Sequence, residues 1–200
     1  ALDAFDALPA QYCILEVSPE LVERQRRLVA DRLPRLAARF TWLSDWPDEF
    51  SGVVLANEVL DAMPVERFRI TDGAPTRLGV TLDGGVFCLE GRPAPGWLAA
   101  DIAQLEAGLE RPFAAGYESE AAPAASAWIR ELADHVDQAL ILFFVYGLPR
   151  REYYAPERDG GWLRCHFRHR AHNDPLVLPG IQDITSWVDF TRIAEAGVAE

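Results

Sequence analysis

The sequence contains no lysine: all 19 of its basic residues are arginine, and 31 acidic residues outnumber them. The resulting net charge of -12 argues against a nucleic-acid-binding protein, because neutralising phosphates requires a basic surface. Long apolar runs are also missing, so no segment reaches the roughly 20 residues that span a membrane as a helix. We therefore expect neither a nucleic-acid partner nor a membrane span.

Cysteine is scarce as well. The three cysteines, Cys13, Cys88 and Cys165, are far apart in the sequence and form no CxxC pair. This pattern gives no disulfide framework and is typical of a reducing compartment. We therefore expect a protein of a reducing compartment.

Several signatures of catalysis or cofactor binding are absent. Neither a GxGxxG turn nor a GxSxG nucleophile elbow occurs, and no Ser-His-Asp or Cys-His arrangement is visible. One cluster invites a zinc interpretation, and it consists of Cys165, His166, His169 and His172. The spacing matches no standard zinc finger, and the arginines between these residues would repel a cation. We therefore expect no metal site.

The elements at the start of the chain predict an α/β fold. The 200 residues, half of them hydrophobic, suit one globular domain with a proper core. The pattern predicts a strand at residues 12–17 and a helix at 21–33, with Ser18 as its N-cap and Pro19 at the first helical position. Further strands at residues 40–43 and 52–56 indicate a parallel sheet.

The pattern changes after residue 65. Short alternating segments separated by turns at Asp72-Gly73 and Asp83-Gly84-Gly85 predict antiparallel strands over residues 65–90. Helices are expected at 98–109 and 123–136, and a strand at 139–145 whose carboxyl end should lie beside that of strand 52–56. Residues 148–172 are predicted to form an arginine-rich loop, and a short helix is expected from about Asp189.

The chain is organised around residues 53–64. The apolar run 53–56 is too short for a buried helix and predicts a strand buried on both faces. Asn57, Glu58 and Asp61 follow it, at the strand end where open α/β sheets bind ligands. If a helical turn begins there, the spacing places Glu58 and Asp61 on one face. The alternative is that Asn57 and Asp61 only cap the next helix.

Acidic residues also follow the two earlier strands. Glu16 could accept both ribose hydroxyls of a nucleotide cofactor, as a carboxylate at this position commonly does. Asp45 lies where an adenine could be met, with Trp46 as an apolar wall. The alternatives are a capping or surface role for Glu16, a turn role for Asp45 and a core role for Trp46.

Six segments, taken in order, resemble one known family. They are LEVSPEL at 15–21, NEVLDAMPV at 57–65, YESE at 117–120, YGLPRREYY at 146–154, LRCHFRHRAH at 163–172 and QDITSWVDFT at 182–191. Together they resemble the MidA family of class I S-adenosylmethionine-dependent methyltransferases, which includes a mitochondrial complex I assembly factor that methylates an arginine of a complex I subunit. The resemblance covers nearly the whole chain, and it implies the bacterial cytoplasm as the compartment, with the mitochondrial matrix as the alternative.

The resemblance implies a Rossmann-like class I methyltransferase sheet with S-adenosylmethionine as cofactor. Residues 1–200 would be a single partial methyltransferase domain, with an antiparallel insertion at 65–90 and a basic loop region at 148–185. The family's glycine-rich cofactor loop and first strand would precede Ala1, and its last strands would follow Glu200. Val145 and Trp162 depart from the family, which usually has Asp and Thr at these positions.

The resemblance also implies roles for single residues. The expected cofactor contacts are Glu16, Val17, Ser18, Asp45, Trp46 and Asn57. The expected catalytic residues are Asn57, Glu58 and Asp61, which would act on a protein arginine in respiratory complex assembly or a similar process. Separately from the resemblance, the arginine cluster at 150–170 in an acidic chain predicts that the basic loop is mobile without a partner and contacts the protein substrate.

Two other functions compete with this interpretation. A non-catalytic assembly or interaction protein would keep the fold and the basic loop, and the lack of a glycine-rich loop favours it. A nucleotide-dependent oxidoreductase on the same type of fold is a weaker third alternative. The sequence leaves the oligomeric state open, a dimer included.

Overall fold

The computed structural model describes residues 8–198, and the chain divides into two compact units. The first unit runs to Ser51 and includes His135–Gln138, and the second holds Gly52–Asp134 and the chain from Ala139 onwards. None of the helices in residues 8–198 is long and apolar enough to cross a membrane.

The first unit is built on a strand, a helix and a second strand. Strand β1 (Tyr12–Leu15) is followed by helix α1 (Pro19–Arg32), and strand β2 (Phe40–Leu43) returns parallel to β1. Ser18 caps α1 by accepting a hydrogen bond from the Leu21 N–H at 3.4 Å, and Pro19 opens the helix. The predicted cap, helix and parallel pairing are confirmed here.

The remaining elements follow in chain order. They are β3 (Phe50–Asn57), β4 (Glu66–Thr71), β5 (Ala74–Asp83), β6 (Val86–Pro93), α2 (Gly96–Ala107), β7 (Glu118–Ala121), α3 (Pro123–His135), β8 (Val136–Phe144), β9 (Gly147–Leu148), α4 (Arg150–Tyr153), β10 (Arg164–Phe167), β11 (Arg170–His172), β12 (Asp183–Thr185), β13 (Val188–Asp189) and α5 (Phe190–Gly197).

The largest sheet of the second unit is antiparallel, in the order β6-β5-β4-β7. Its first three strands confirm the antiparallel pairing predicted for residues 65–90, whereas β7 had no sequence signal. Helix α2 buries Leu98, Ile102 and Leu105 in one core with Phe68 and Ile70 of β4. At roughly 1.5–3 kcal/mol per buried apolar side chain, this face is a main source of stability for the unit.

Strand β3 is paired with β8, and their carboxyl ends lie together as predicted, since the Glu58 N–H donates to the Phe144 carbonyl at 2.8 Å. The prediction that β3 is buried on both faces is wrong. Val53 and Leu55 are 56% and 58% exposed, because β3 and β8 form only a two-stranded sheet in the part of the chain described. A continuous Rossmann-like sheet therefore stays a prediction.

The segment predicted as an arginine-rich loop contains regular structure. It forms α4 and an antiparallel sheet in the order β11-β10-β12, and β9 pairs in parallel with β13. Arg150 of α4 is buried, donates to Glu195 at 2.9 Å and lies 3.4 Å from an oxygen of Asp189. Asp189 also caps α5, so the helix expected near this residue is confirmed.

Candidate functional site

Glu16 follows β1 and is half-buried in the first unit. Its backbone N–H donates to the Leu43 carbonyl at 3.0 Å, which fixes it against the end of β2. One carboxylate oxygen accepts from the Ser18 N–H at 2.9 Å, and the other accepts from the Gln25 side-chain amide at 3.2 Å. The carboxylate is therefore held in one orientation at the carboxyl edge of the two parallel strands.

The other residues predicted to contact the cofactor in this unit lie at the same edge. Val17 is 83% exposed, and Ser18 is occupied as the cap of α1. Asp45 follows β2, is exposed, and accepts a hydrogen bond from the Trp46 N–H at 2.9 Å. The half-buried Trp46 ring stacks on His135 with ring centroids 6.4 Å apart. The neighbouring ends of β1 and β2 thus bring an acidic residue and an aromatic wall to one edge.

Asn57 and Glu58 lie at the carboxyl end of β3 in the second unit, and both are exposed. Glu58 has a φ of 50°, a left-handed conformation that is costly for a residue with a side chain. Its N–H bond to Phe144 holds this conformation in place. Strained backbone of this kind is often found at functional sites, and it presents the Glu58 carboxylate at the strand end.

Asp61 has a different environment from Glu58, because it is only 8% exposed. Its carbonyl accepts from the Ser186 N–H at 2.9 Å, and its Oδ1 has no hydrogen-bond partner among residues 8–198. Residues 58–65 form bends and turns, so the helical turn considered from the sequence is wrong. Spacing along a helix therefore gives no reason for Glu58 and Asp61 to act together.

Asp61 lines a cavity of about 430 Å³ within the second unit. Most of its walls are apolar, and they include Met63, Pro64, Leu78, Val80, Leu163 and Ile184. The lining also contains charged residues, namely Arg67 and the ion pair of Arg77 with Glu66. The Nε of Arg77 lies 2.6 Å from the Glu66 carboxylate. A side chain with an apolar stem and a cationic end matches this combination of walls and carboxylate.

Glu120 is a buried carboxylate for which the sequence predicted no role. It accepts hydrogen bonds from the Trp162 N–H at 2.8 Å and the Leu163 N–H at 3.4 Å, and Arg67 Nε lies 3.8 Å from it. Burial raises the pKa of the Glu120 carboxyl above its ordinary value, against the lowering effect of these N–H groups and of Arg67. Because Arg67 and Leu163 also line the cavity, Glu120 supports its wall.

The cysteine and histidines considered for zinc lie on or near the β10–β11 hairpin. Cys165 is buried and pairs with His172 across the hairpin, whereas His166 and His169 are exposed. Within residues 8–198, no group of three or more His, Cys, Asp or Glu side chains is arranged to hold a metal ion.

Comparisons with known proteins identify relatives of the chain. The Methyltransf_28 family model, described as "Putative S-adenosyl-L-methionine-dependent methyltransferase", matches residues 1–200. A crystal structure of a COG1565 superfamily member from Burkholderia thailandensis, bound to S-adenosyl-homocysteine, is 41% identical with a TM-score of 0.87, and the match covers 99% of this chain and 50% of that one. The comparison with curated proteins found no match.

A second crystal structure, of an uncharacterized COG1565 superfamily protein from the same organism, gives similar values. It is also 41% identical, with a TM-score of 0.88, and the match covers 99% of this chain and 52% of that one. The chain therefore spans about half the length of these solved relatives.

The family model and the neighbour bound to S-adenosyl-homocysteine support the sequence-based prediction of an S-adenosylmethionine-dependent methyltransferase family. They indicate S-adenosylmethionine as the cofactor, and they agree with the mixed α/β fold. Since the family model matches the whole chain, the chain belongs to the Methyltransf_28 family.

Proposed function

We propose that this chain is part of a MidA-type methyltransferase that transfers a methyl group from S-adenosylmethionine to a protein arginine, in respiratory complex assembly or a similar process. The observation that carries the proposal is the oriented carboxylate of Glu16 at the edge of two parallel strands. The same type of edge binds nucleotide cofactors in open α/β sheets. The 41% identity to a structure that binds S-adenosyl-homocysteine supports this assignment.

The residues of the first unit fit the adenosine part of the cofactor. Glu16 would accept the two ribose hydroxyls, because a carboxylate offers about four acceptor positions and protein donors use two of them. Asp45 and Trp46 would meet the adenine, while Val17 and Ser18 supply backbone at the same edge. Asn57, in the second unit, is also assigned to the cofactor.

The acceptor chemistry defines the task of Glu58 and Asp61. Bound S-adenosylmethionine supplies an electrophilic methyl group, but a guanidinium is protonated in water and is a poor nucleophile. Carboxylates can grip its planar fork, aim one nitrogen and offset the loss of hydration. In the proposal Asp61, with the apolar cavity beside it, binds the arginine side chain, and Glu58 orients the guanidinium and accepts the proton released on methylation.

A labelled methyl-transfer assay tests this function. The chain is incubated with methyl-labelled S-adenosylmethionine and peptides that contain arginine, or lysine in its place, and the products are hydrolysed. We expect label in methylarginine only. Label in methyllysine or in a carboxyl ester would contradict the arginine assignment, and no label in any peptide or protein acceptor would favour a non-catalytic role.

The β10–β11 hairpin favours a protein partner, whether or not the chain is catalytic. Of the six arginines in residues 148–172, three are engaged within the fold: Arg150 pairs with Glu195, Arg151 with Glu110, and Arg158 covers the Trp162 ring. The other three, Arg164, Arg168 and Arg170, are exposed on the hairpin, where Arg164 donates to the Asn173 side chain and Arg168 lies 5.2 Å from the centroid of the Phe167 ring. This basic surface on a chain of net charge -12 suits an acidic region of a protein.

A triple variant in which glutamine replaces Arg164, Arg168 and Arg170 should associate more slowly with the protein acceptor found in the methyl-transfer assay. It should also reduce the salt dependence of the association rate, because steering by charge is screened by ions. The control carries the same charge change at the exposed Arg24, Arg32 and Arg35. Association rates that change equally in both variants would remove the hairpin from the interface.

A further inference from the structure

Three side chains of the first unit form a continuous hydrogen-bonded series that ends at Glu16. The indole Nε1–H of Trp42, on β2, donates to the Gln25 side-chain carbonyl at 2.8 Å. The Gln25 amide nitrogen then donates to the Glu16 carboxylate at 3.2 Å. Gln25 lies on α1, so one strand, one helix and one strand end all contribute to the series.

The chemistry of the partners fixes the orientation of the Gln25 amide. An indole N–H can only donate, so the oxygen of the amide must face Trp42. The amide nitrogen must then face Glu16, whose carboxylate can only accept when ionised. If the amide were turned over, both hydrogen bonds would be replaced by unfavourable contacts between like groups. Trp42 therefore sets the direction in which Gln25 donates.

The hydrogen bonds leave the Glu16 carboxylate half-occupied. Each oxygen accepts one bond from the protein, from the Ser18 N–H or from Gln25, and each keeps acceptor capacity for another donor. Two neighbouring hydroxyl groups, such as those of a ribose, need one oxygen each. The carboxylate plane must be held in place for both bonds to form together, and the Ser18 bond alone leaves the second oxygen unsupported.

We propose that Gln25 is a positioning residue, oriented by Trp42, that holds the Glu16 carboxylate for a vicinal diol of the cofactor. The proposal rests on the proposed function and deepens it, because it assigns discrimination for the ribose hydroxyls to a residue on α1. In this proposal Gln25 acts on the cofactor only through Glu16, so its effect depends on the hydroxyls that Glu16 binds.

The test compares two ligands with one set of variants. The ligands are S-adenosylhomocysteine and its 2′,3′-dideoxy analogue, which lacks both ribose hydroxyls, and dissociation constants are measured on the whole chain. Gln25→Leu should raise the dissociation constant of S-adenosylhomocysteine about three- to tenfold, the scale of one hydrogen bond. It should leave that of the dideoxy analogue within about twofold, because no hydroxyl is present for Glu16 to bind.

Two further variants guard against a folding effect. Trp42→Phe keeps an aromatic ring on β2 but removes the N–H that orients Gln25. It should raise the dissociation constant of S-adenosylhomocysteine by a smaller factor than Gln25→Leu does. Arg24→Leu, at an exposed position of the same helix, should leave both ligands unchanged. Circular dichroism and a thermal melt establish that each variant is folded before it is titrated.

The outcomes separate the positioning role from the proposed function. Equal weakening of both ligands by Gln25→Leu would show a merely structural role, and unchanged binding of S-adenosylhomocysteine would overturn the positioning role alone. If the unsubstituted chain bound neither ligand, the proposed function would fail, and the positioning role would fail with it. Selective loss of the ligand with hydroxyl groups supports the proposal.

Discussion

Gly161→Ala is expected to lower the free energy of unfolding by about 2–5 kcal/mol, the sum of backbone strain and lost hydrogen bonds. Gly161 has a φ of 76°, and a Cβ placed there would collide with both carboxylate oxygens of Glu120. Glu120 is 1% exposed and has little room to move. Its displacement would leave the Trp162 and Leu163 N–H groups without their acceptor.

The adjacent glycine gives a matched control for this prediction. Gly160 also has a positive φ, of 102°, but a Cβ there meets no atom within 4 Å. Gly160→Ala should therefore cost only the backbone strain, about 1–2 kcal/mol. Urea denaturation of both variants measures the difference. An equal decrease in the free energy of unfolding of both variants would mean that the collision with Glu120 is relieved without cost, and that Glu120 does not hold this loop.

Glu58→Gln should reduce the rate of methyl transfer by roughly tenfold or more, since about 1.4 kcal/mol of transition-state stabilisation corresponds to tenfold. The substitution keeps the size of the side chain and removes the charge that would orient the guanidinium and accept its proton. Affinity for S-adenosylhomocysteine should stay nearly unchanged, because the ribose is assigned to Glu16. Single-turnover transfer and equilibrium binding measure the two effects separately.

An exposed glutamate elsewhere controls for the loss of one charge. Glu157→Gln, at an exposed position, should leave the transfer rate unchanged. Full activity of the Glu58→Gln variant would remove Glu58 from the acceptor mechanism, although the family assignment would stand. A parallel loss of cofactor affinity would instead place Glu58 on the cofactor side.

Local patterns predicted local structure well in this chain. Ser18 and Pro19 predicted the start of α1 because a side-chain acceptor and a fixed φ both favour a helix N-terminus. The Asp72-Gly73 turn predicted the β4–β5 hairpin because both residues adopt positive φ. The position of Glu16 at the end of β1 was also predictable, since this residue lies between a predicted strand and the predicted N-cap of the next helix.

Features that depend on distant residues were not predictable. The arginine-rich segment resembled a solvated loop, yet Arg150 is buried because Asp189 and Glu195 neutralise it from about 40 residues further along the chain. The left-handed φ of Glu58 has no local signal, because glutamate does not favour that conformation. Because the sequence does not reveal this φ, the spacing of Glu58 and Asp61 suggested a helical turn that the structure lacks.

A calorimetric titration of S-adenosylmethionine into this chain, with Glu16→Ala beside it, tests the central claim most directly. We expect one bound molecule per chain. The folded variant should bind more weakly by roughly 1.5–3 kcal/mol, the scale of charge-assisted hydrogen bonds, which is about a tenfold to 150-fold rise in the dissociation constant. An unchanged dissociation constant would remove Glu16 from the site, and no binding by the unsubstituted chain would contradict the proposed function.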